Sequence, residues 1–365
     1  MSVTPTTTRT SHTPDDAARP PSSRLRRAAR RIRRWTRNAV IGMVVLLIVA
    51  TVAGNLQQYR LQRAHPAPGE LIDIGGHRLH VLRDGHGPTV VFENGPGGMA
   101  LDWNLVQPAI AEHATTFAYD RAGIGWSDPG PRPRTIDTLV DELHRTLQAT
   151  GTPAPYVLVG HSFGGLLVRA FAYSHPDEVA GLVLVDAAHE DQFDIYPADY
   201  VTKGRSMIAT MNRLRPVFWA ANASGIPALS GGPSNTVTDR LPADAAAARR
   251  AVGVMDASQA VTTVDEMAVL EQDFDIVRAL RRPLGDIPVV VISRGKVVGT
   301  EAGIPTGSED AVHAAWLTMQ DDLLTISTNS TLRVAENSGH DVHAEQPQLV
   351  IDAIRTVLAE ATDAR

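Results

Sequence analysis

Tyr156-Val157-Leu158-Val159-Gly160-His161-Ser162-Phe163-Gly164-Gly165 is the stretch that decides the fold. Four apolar residues enter it, and helical spacing over 165–173 leaves it. The run therefore predicts a strand, a sharp corner and a helix, with a serine at the corner. Gly160 and Gly164 flank that serine as small residues that let neighbouring backbone close in on the turn. Such a corner lifts the Ser162 Oγ from the carboxyl edge of a sheet, where the helix N-terminus favours developing negative charge. Ser162 is thus the candidate nucleophile. His161, one residue earlier, points away from the site in this geometry and reads as a structural side chain.

Outward from this corner, short apolar runs at 71–74, 78–82, 90–92, 116–119, 182–185, 289–292 and 332–334 supply further strands. Gly75-Gly76 marks a hairpin turn between the first two. Helical spacing recurs over 136–149 and 349–359. Continuous Val, Leu and Ile runs suit strands buried on both faces, so the expectation is an α/β fold with a mostly parallel sheet between helical layers. Residues 191–282 break the rhythm: helix-like, Pro- and Gly-punctuated sequence without a clear strand, inserted between two core strands. After the last strand comes Ala335-Glu336-Asn337-Ser338-Gly339-His340, then a helix. A neutral imidazole there can take the Ser162 proton and return it to a leaving group, which makes His340 the candidate base and His343 its rival.

The charge is divided unevenly. Residues 1–38 hold ten Arg against two Asp, and the remainder holds 24 basic against 38 acidic residues. An acidic folded part gives no support to nucleic-acid binding. The basic run 24–37 leads into 39–54, sixteen residues without a charge, about 24 Å of helix. Flanking residues 35–38 and 55–56 extend it to about 33 Å, enough to cross a bilayer, with Arg37 free to snorkel. This is a membrane signal anchor, or the core of a signal peptide cleaved after Val52-Ala53-Gly54. The Arg excess before it directs the rest of the chain outside the cytoplasm, anchored or, if cleaved, secreted. With no cysteine in the chain there is no disulfide, thiolate metal site or thiol nucleophile. No residue cluster has metal or cofactor spacing, so neither is expected.

Four segments, Tyr119–Gly130 (YDRAGIGWSDPG), Val157–Gly165 (VLVGHSFGG), Leu182–Asp191 (LVLVDAAHED) and Ser338–Val350 (SGHDVHAEQPQLV), together resemble the α/β-hydrolase superfamily in order and spacing. The resemblance spans 90–359. It implies a sheet core over 70–190 and 286–365 and a helical lid over 191–285, after the sixth strand. Before them lie a disordered basic tail (1–38), the apolar segment (39–56) and a linker (57–69). Two backbone N–H groups are implied as the oxyanion hole. One is that of Phe163; the other comes from Glu93-Asn94-Gly95-Pro96-Gly97-Gly98, where Gly95 is the first choice and Gly97 the second. Most relatives carry the triad acid after the seventh strand, but Ser293-Arg294-Gly295 stands there. Some relatives carry it after the sixth, where this chain has Asp186; Glu309, Asp310, Glu301, Glu190 and Asp191 are the alternatives. Asp120 and Arg121 read as a structural loop network. The implied activity is hydrolysis of a small-molecule ester, or of an amide, through an acyl-enzyme on Ser162. A proline-iminopeptidase-like peptidase and a carbon–carbon bond hydrolase are the alternatives on the same fold. A non-catalytic ligand-binding protein on this scaffold is the reading from another class.

Overall fold

A computed structural model describes residue 1 and residues 23–232, 234–297 and 304–363. The chain forms two compact units, Met1–Ala50 and Thr51–Arg365. A long helix α1 (Ser23–Ala64) begins in the first and ends in the second. Helix α1 is long and apolar enough to cross a membrane. Two expectations change here. The basic run is helical from Ser23 rather than disordered to 38, because its Arg, Ala and Leu are strong helix formers; residues 2–22 lie outside the described ones. Nor is 57–69 a linker, because α1 continues to Ala64 and its last turns pack within the second unit. There the Gln58 Nε2 donates to the carbonyls of Asn222 (3.0 Å) and Val254 (2.9 Å).

In the second unit, strands β1 (Glu70–Asp73), β2 (Arg78–Asp84), β3 (Thr89–Glu93), β4 (Thr115–Tyr119), β5 (Tyr156–His161), β6 (Val179–Val185), β7 (Val289–Arg294) and β8 (Ser330–Ala335) form one sheet among the described residues. Their order is β1-β2-β4-β3-β5-β6-β7-β8. β1–β2 and β2–β4 pair antiparallel, and every later pair is parallel. Strand alternation divides the core in two. Leu158, Leu182, Leu184 and Val291 face one hydrophobic layer, while Val157, Val159, Val183, Val185 and Ile292 face the other. Helices α2 (Gln107–Ala111), α3 (Ile136–Ala149) and α4 (Phe163–Ser174) follow β3, β4 and β5. Leu139, Leu143, Leu166 and Phe171 of α3 and α4 fill the first layer, and Ile110 of α2 belongs to the second.

Between β6 and β7 the described residues form no strand but the helices α5 (Gln192–Ile195), α6 (Ala198–Ala223), α7 (Thr236–Arg240), α8 (Ala243–Met255), α9 (Ser258–Ala268) and α10 (Leu270–Leu280). Three more helices complete the unit: α11 (Glu309–Leu323) after β7, then α12 (Val342–Glu345) and α13 (Pro347–Asp363) after β8. Glu309 and Asp310 lie in the first turn of α11, where two carboxylates meet the positive end of the helix dipole. The chain crosses over at β3, which lies between β4 and β5. The carboxyl ends of β3 and β5 thus flank the point where the strand order reverses, the usual place for a ligand crevice in an open α/β sheet.

Candidate active site

Ser162 occupies the corner between β5 and α4 with φ 57° and ψ −123°. That left-handed conformation is strained for a side-chain-bearing residue, and the surroundings hold it in place. The Ser162 N–H donates to the Val185 carbonyl at 3.1 Å, and its carbonyl accepts from the N–H groups of Gly165 and Ala188, each at 2.9 Å. The flanking glycines are obligatory. A Cβ on Gly160 would lie 2.5 Å from the Gly164 carbonyl oxygen, and one on Gly164 would lie 2.5 Å from that of Glu93.

The loop after β8 carries His340 to this corner, with its Nε2 2.9 Å from the Ser162 Oγ. The other ring nitrogen, Nδ1, is 2.6 Å from the Asp186 Oδ2. Asp186, directly after β6, has φ 43° and is fully buried. Its carboxylate accepts four hydrogen bonds in all. The Trp316 Nε1–H (2.7 Å) and the Arg294 backbone N–H (3.0 Å) donate to Oδ1, and the Arg294 Nη1–H (2.8 Å) joins His340 at Oδ2. Burial alone would raise the Asp186 pKa, but Arg294 and His340 outweigh it and hold the group at about 2. An ionised Asp186 fixes the proton of His340 on Nδ1, which leaves Nε2 free to accept from the serine hydroxyl.

The rival residues named from the sequence lie elsewhere. His343 is buried between the rings of Trp103 (4.9 Å) and His161 (4.4 Å), and burial pushes its pKa well below the usual imidazole value. His161 is likewise held down, to about 4, by burial and then by the neighbouring His340. As a neutral ring it donates from Nε2 to the His340 carbonyl at 2.9 Å, which tethers the loop that presents His340. Glu190 pairs with Arg169 (2.6 Å) and Arg281 (3.2 Å), and Asp191 with Arg278 (2.7 Å). Glu309 accepts from the Gly307 N–H at 2.6 Å, and Asp310 follows it in the first turn of α11. Glu301 lies outside the described residues.

The loop after β3 closes over the serine. Gly98 N–H donates to the Gly95 carbonyl (3.1 Å) around Pro96, and a Cβ on Gly95 would sit 3.2 Å from the Ser162 Cβ. Gly97 faces away, toward Thr263 of α9. Arg121 holds this loop from behind: Nη1 donates to the Asn94 carbonyl and Nη2 to that of Gly95, both at 2.8 Å. In a trans peptide the N–H points opposite to the carbonyl. By fixing the Asn94 carbonyl, Arg121 therefore sets the direction of the Gly95 N–H. The Phe163 N–H, first in α4, has no partner within its own helix. The remaining Arg121 donors reach Glu93 and, at 2.8 and 3.0 Å, both oxygens of Glu266 on α9. A buried guanidinium thus clasps the loop to the helical layer. Asp120 beside it caps the Ala100 and Trp126 N–H groups. Sequence reading missed Arg294, Trp316 and Glu266. The arginine at the usual seat of the acid was the available signal for the first; the other two come from distant helices and left none.

A cavity of about 300 Å³ opens beside Ser162 and His340. Phe193, Tyr196, Val201, Ile208, Leu270 and Val312 supply much of its apolar lining, and Glu266 and Arg294 also reach it. Among the described residues, His144, His175 and Glu178 also come together away from this cavity, with one ligand atom from each within 4.8 Å. The two imidazoles stack at 4.1 Å and 23°, so their nitrogens lie in near-parallel planes rather than converging on a single ion.

Comparison with known proteins agrees with this architecture. The sequence profile described as the alpha/beta hydrolase fold matches residues 88–215. The chain is 34% identical over 145 residues to the "Probable transporter efuK" of Hormonema carpetanum, covering 37% of this chain but only 21% of that protein. It is 25% identical over 278 residues to "Uncharacterized protein YqjL" of Bacillus subtilis (strain 168), covering 75% of this chain and 85% of that one. Among solved structures, the "Epoxide hydrolase CorEH without ligand" superposes with a TM-score of 0.54 at 21% identity, covering 80% of this chain and 97% of its own. Profile, sheet order and serine corner agree: the chain has the α/β-hydrolase fold.

Proposed function

We propose that this hydrolase cleaves carboxylic esters through an acyl-enzyme, with Ser162 as nucleophile, His340 as general base and acid, and Asp186 as the group that orients His340. The observation that carries the reading is the pair of contacts at His340, 2.9 Å from Nε2 to the Ser162 Oγ and 2.6 Å from Nδ1 to Asp186. Oγ attacks the ester carbonyl carbon while its proton passes to Nε2. The oxyanion that forms accepts from the N–H groups of Phe163 and Gly95. Collapse breaks the bond to the alkoxy oxygen, which leaves as the alcohol with the proton from His340. Water, deprotonated by the same imidazole, then releases the acid and restores Ser162. Ionised Asp186 stabilises the imidazolium in both halves. The apolar cavity suits an acyl chain better than a charged group.

Two details weigh against the alternatives. Glu266, the carboxylate in the cavity wall, has both oxygens on Arg121, so it offers no free anion to a substrate amine. Chemistry that needs a carboxylate nucleophile meets a serine at 162. We read the helices between β6 and β7 as the lid, and the apolar part of α1 as a membrane anchor or signal segment that leaves the hydrolase unit outside the cytoplasm. The test is reaction of the purified chain with a fluorophosphonate probe and a panel of p-nitrophenyl esters. Ser162→Ala should abolish labelling and lower kcat/KM more than about 10³-fold with the fold intact. Near-normal turnover by that variant would overturn the reading, and an unlabelled, inactive wild type would favour a binding protein on this scaffold.

A further inference from the structure

Helix α6 turns a narrow stripe toward the rest of its unit. Gly204, Ile208, Met211, Arg215, Phe218 and Asn222 are partly buried at intervals of three and four, and Val201 is buried in its first turn. From Pro216 onward the exposed residues of this helix are apolar. Pro216, Val217, Trp219, Ala220 and Ala221 are all exposed, none carries a charge, and Val217 and Trp219 are 59% and 56% accessible. Leu229, in the next turn, is 51% accessible. Scattered exposed apolar residues need no explanation; the position of these ones does. This end of α6 is where α1 docks: the Asn55 Nδ2 donates to the Ser224 carbonyl at 3.1 Å, and Gly54 lies so close to Gly225 that any Cβ there would overlap it. Val52 and Leu56, beside those contacts, are themselves exposed. They end the apolar run that fits a bilayer. Arg213, one turn before Val217 on α6, and Arg60 and Arg63, further along α1, are exposed, as suits lipid phosphates.

We propose that the outer face of α6 from Pro216 to Ala221, together with Leu229, rests in the headgroup region of a lipid bilayer. The proposal rests on the reading of α1 as an anchor. The first half of α6 lines the cavity through Tyr200, Val201, Gly204 and Ile208. One helix therefore runs from the membrane surface to the serine, only about 12 Å of helix separating Ile208 from Pro216. The ester class this favours is apolar and partitioned into the bilayer, entering beside α6.

The absence of cysteine from the chain allows single-site labelling. Full-length Leu46→Cys, Val217→Cys and Lys203→Cys, each spin-labelled and reconstituted in phosphatidylcholine–phosphatidylglycerol vesicles, are compared for collision with oxygen and with a water-soluble nickel chelate. Labels at 46 and 217 should favour oxygen, and the label at 203, about 21 Å away on α6, should favour nickel. A label at 46 that favours oxygen beside one at 217 that favours nickel overturns the interface contact and leaves the anchor. Nickel preference at both 46 and 217 overturns both. As a functional arm, Trp219→Asp should lower hydrolysis of a vesicle-borne long-chain ester about tenfold and that of a water-soluble short ester less than about twofold. Equal losses on the two esters would overturn the substrate class, and activity on neither in the wild type would instead count against the proposed ester hydrolysis.

Discussion

In the proposed mechanism Asp186 is the single carboxylate that orients His340. It is buried, sits at positive φ, and accepts from Arg294, Trp316 and His340 together. The arginine keeps it ionised at the cost of sharing its charge. A neutral amide at this position would keep the shape but lose the anion that selects the His340 tautomer. Asp186→Asn is therefore expected to lower kcat by about 10²- to 10⁴-fold with little change in KM. Asp310→Asn and Glu309→Gln, made in parallel, should stay near wild type, since both residues lie in the first turn of α11. Loss of activity in either of them with Asp186→Asn active would move the acid to that helix.

At the scale of elements, the helical layer is tied to the sheet by buried charge. Arg121 clasps α9 through Glu266, and Asp273, in the first turn of α10, accepts from the Ile136 N–H that opens α3 at 2.8 Å. Among the described residues the second oxygen of Asp273 has no hydrogen-bond partner. Burial raises its pKa from 3.8 to about 7, the Ile136 N–H opposes this, and the carboxylates of Asp137 and Glu266 add to it. The folded state therefore holds a proton between about pH 4 and 7 that the unfolded chain has released, and stability falls as pH rises through that window. Asparagine keeps the acceptor for Ile136 and cannot ionise. Asp273→Asn should melt about 2 °C or more above wild type at pH 8, with the difference gone by pH 4. Melting curves at the two pH values decide it; a gain equal at both would refute the titration.

For the molecule as a whole, the second unit takes in the C-terminal part of α1. The last turns of α1 belong to the hydrolase unit in its packing: Gln58 is buried on two carbonyls and Gln62 reaches that of Met255 at 3.2 Å. A chain beginning at Thr51 keeps these contacts, and one beginning at His65 loses them. The shorter form should melt about 4 °C or more below the longer, from the loss of four hydrogen bonds, two of Gln58 and one each of Asn55 and Gln62, near 1 kcal/mol each. Gln58→Ala in the longer form should show part of the same loss. Equal melting temperatures would mean that these turns only rest on the surface.

Local information settled the strands, the glycine-flanked corner at Ser162, the helical insertion between β6 and β7 and the apolar N-terminal run. Each depends on periodicity, on residue size or on hydropathy within a few neighbours. Which carboxylate stands on the His340 Nδ1 did not: the chain offers several within reach in sequence, and only the pairing of β6 with β7 and the packing of α11 bring Asp186, Arg294 and Trp316 to one point. The clasp of Arg121 on Glu266, 145 residues apart, and the docking of Gln58 on Val254, 196 apart, were equally invisible. Such contacts are set by which faces the folded layers turn toward each other, and nothing in a short window of side chains encodes that.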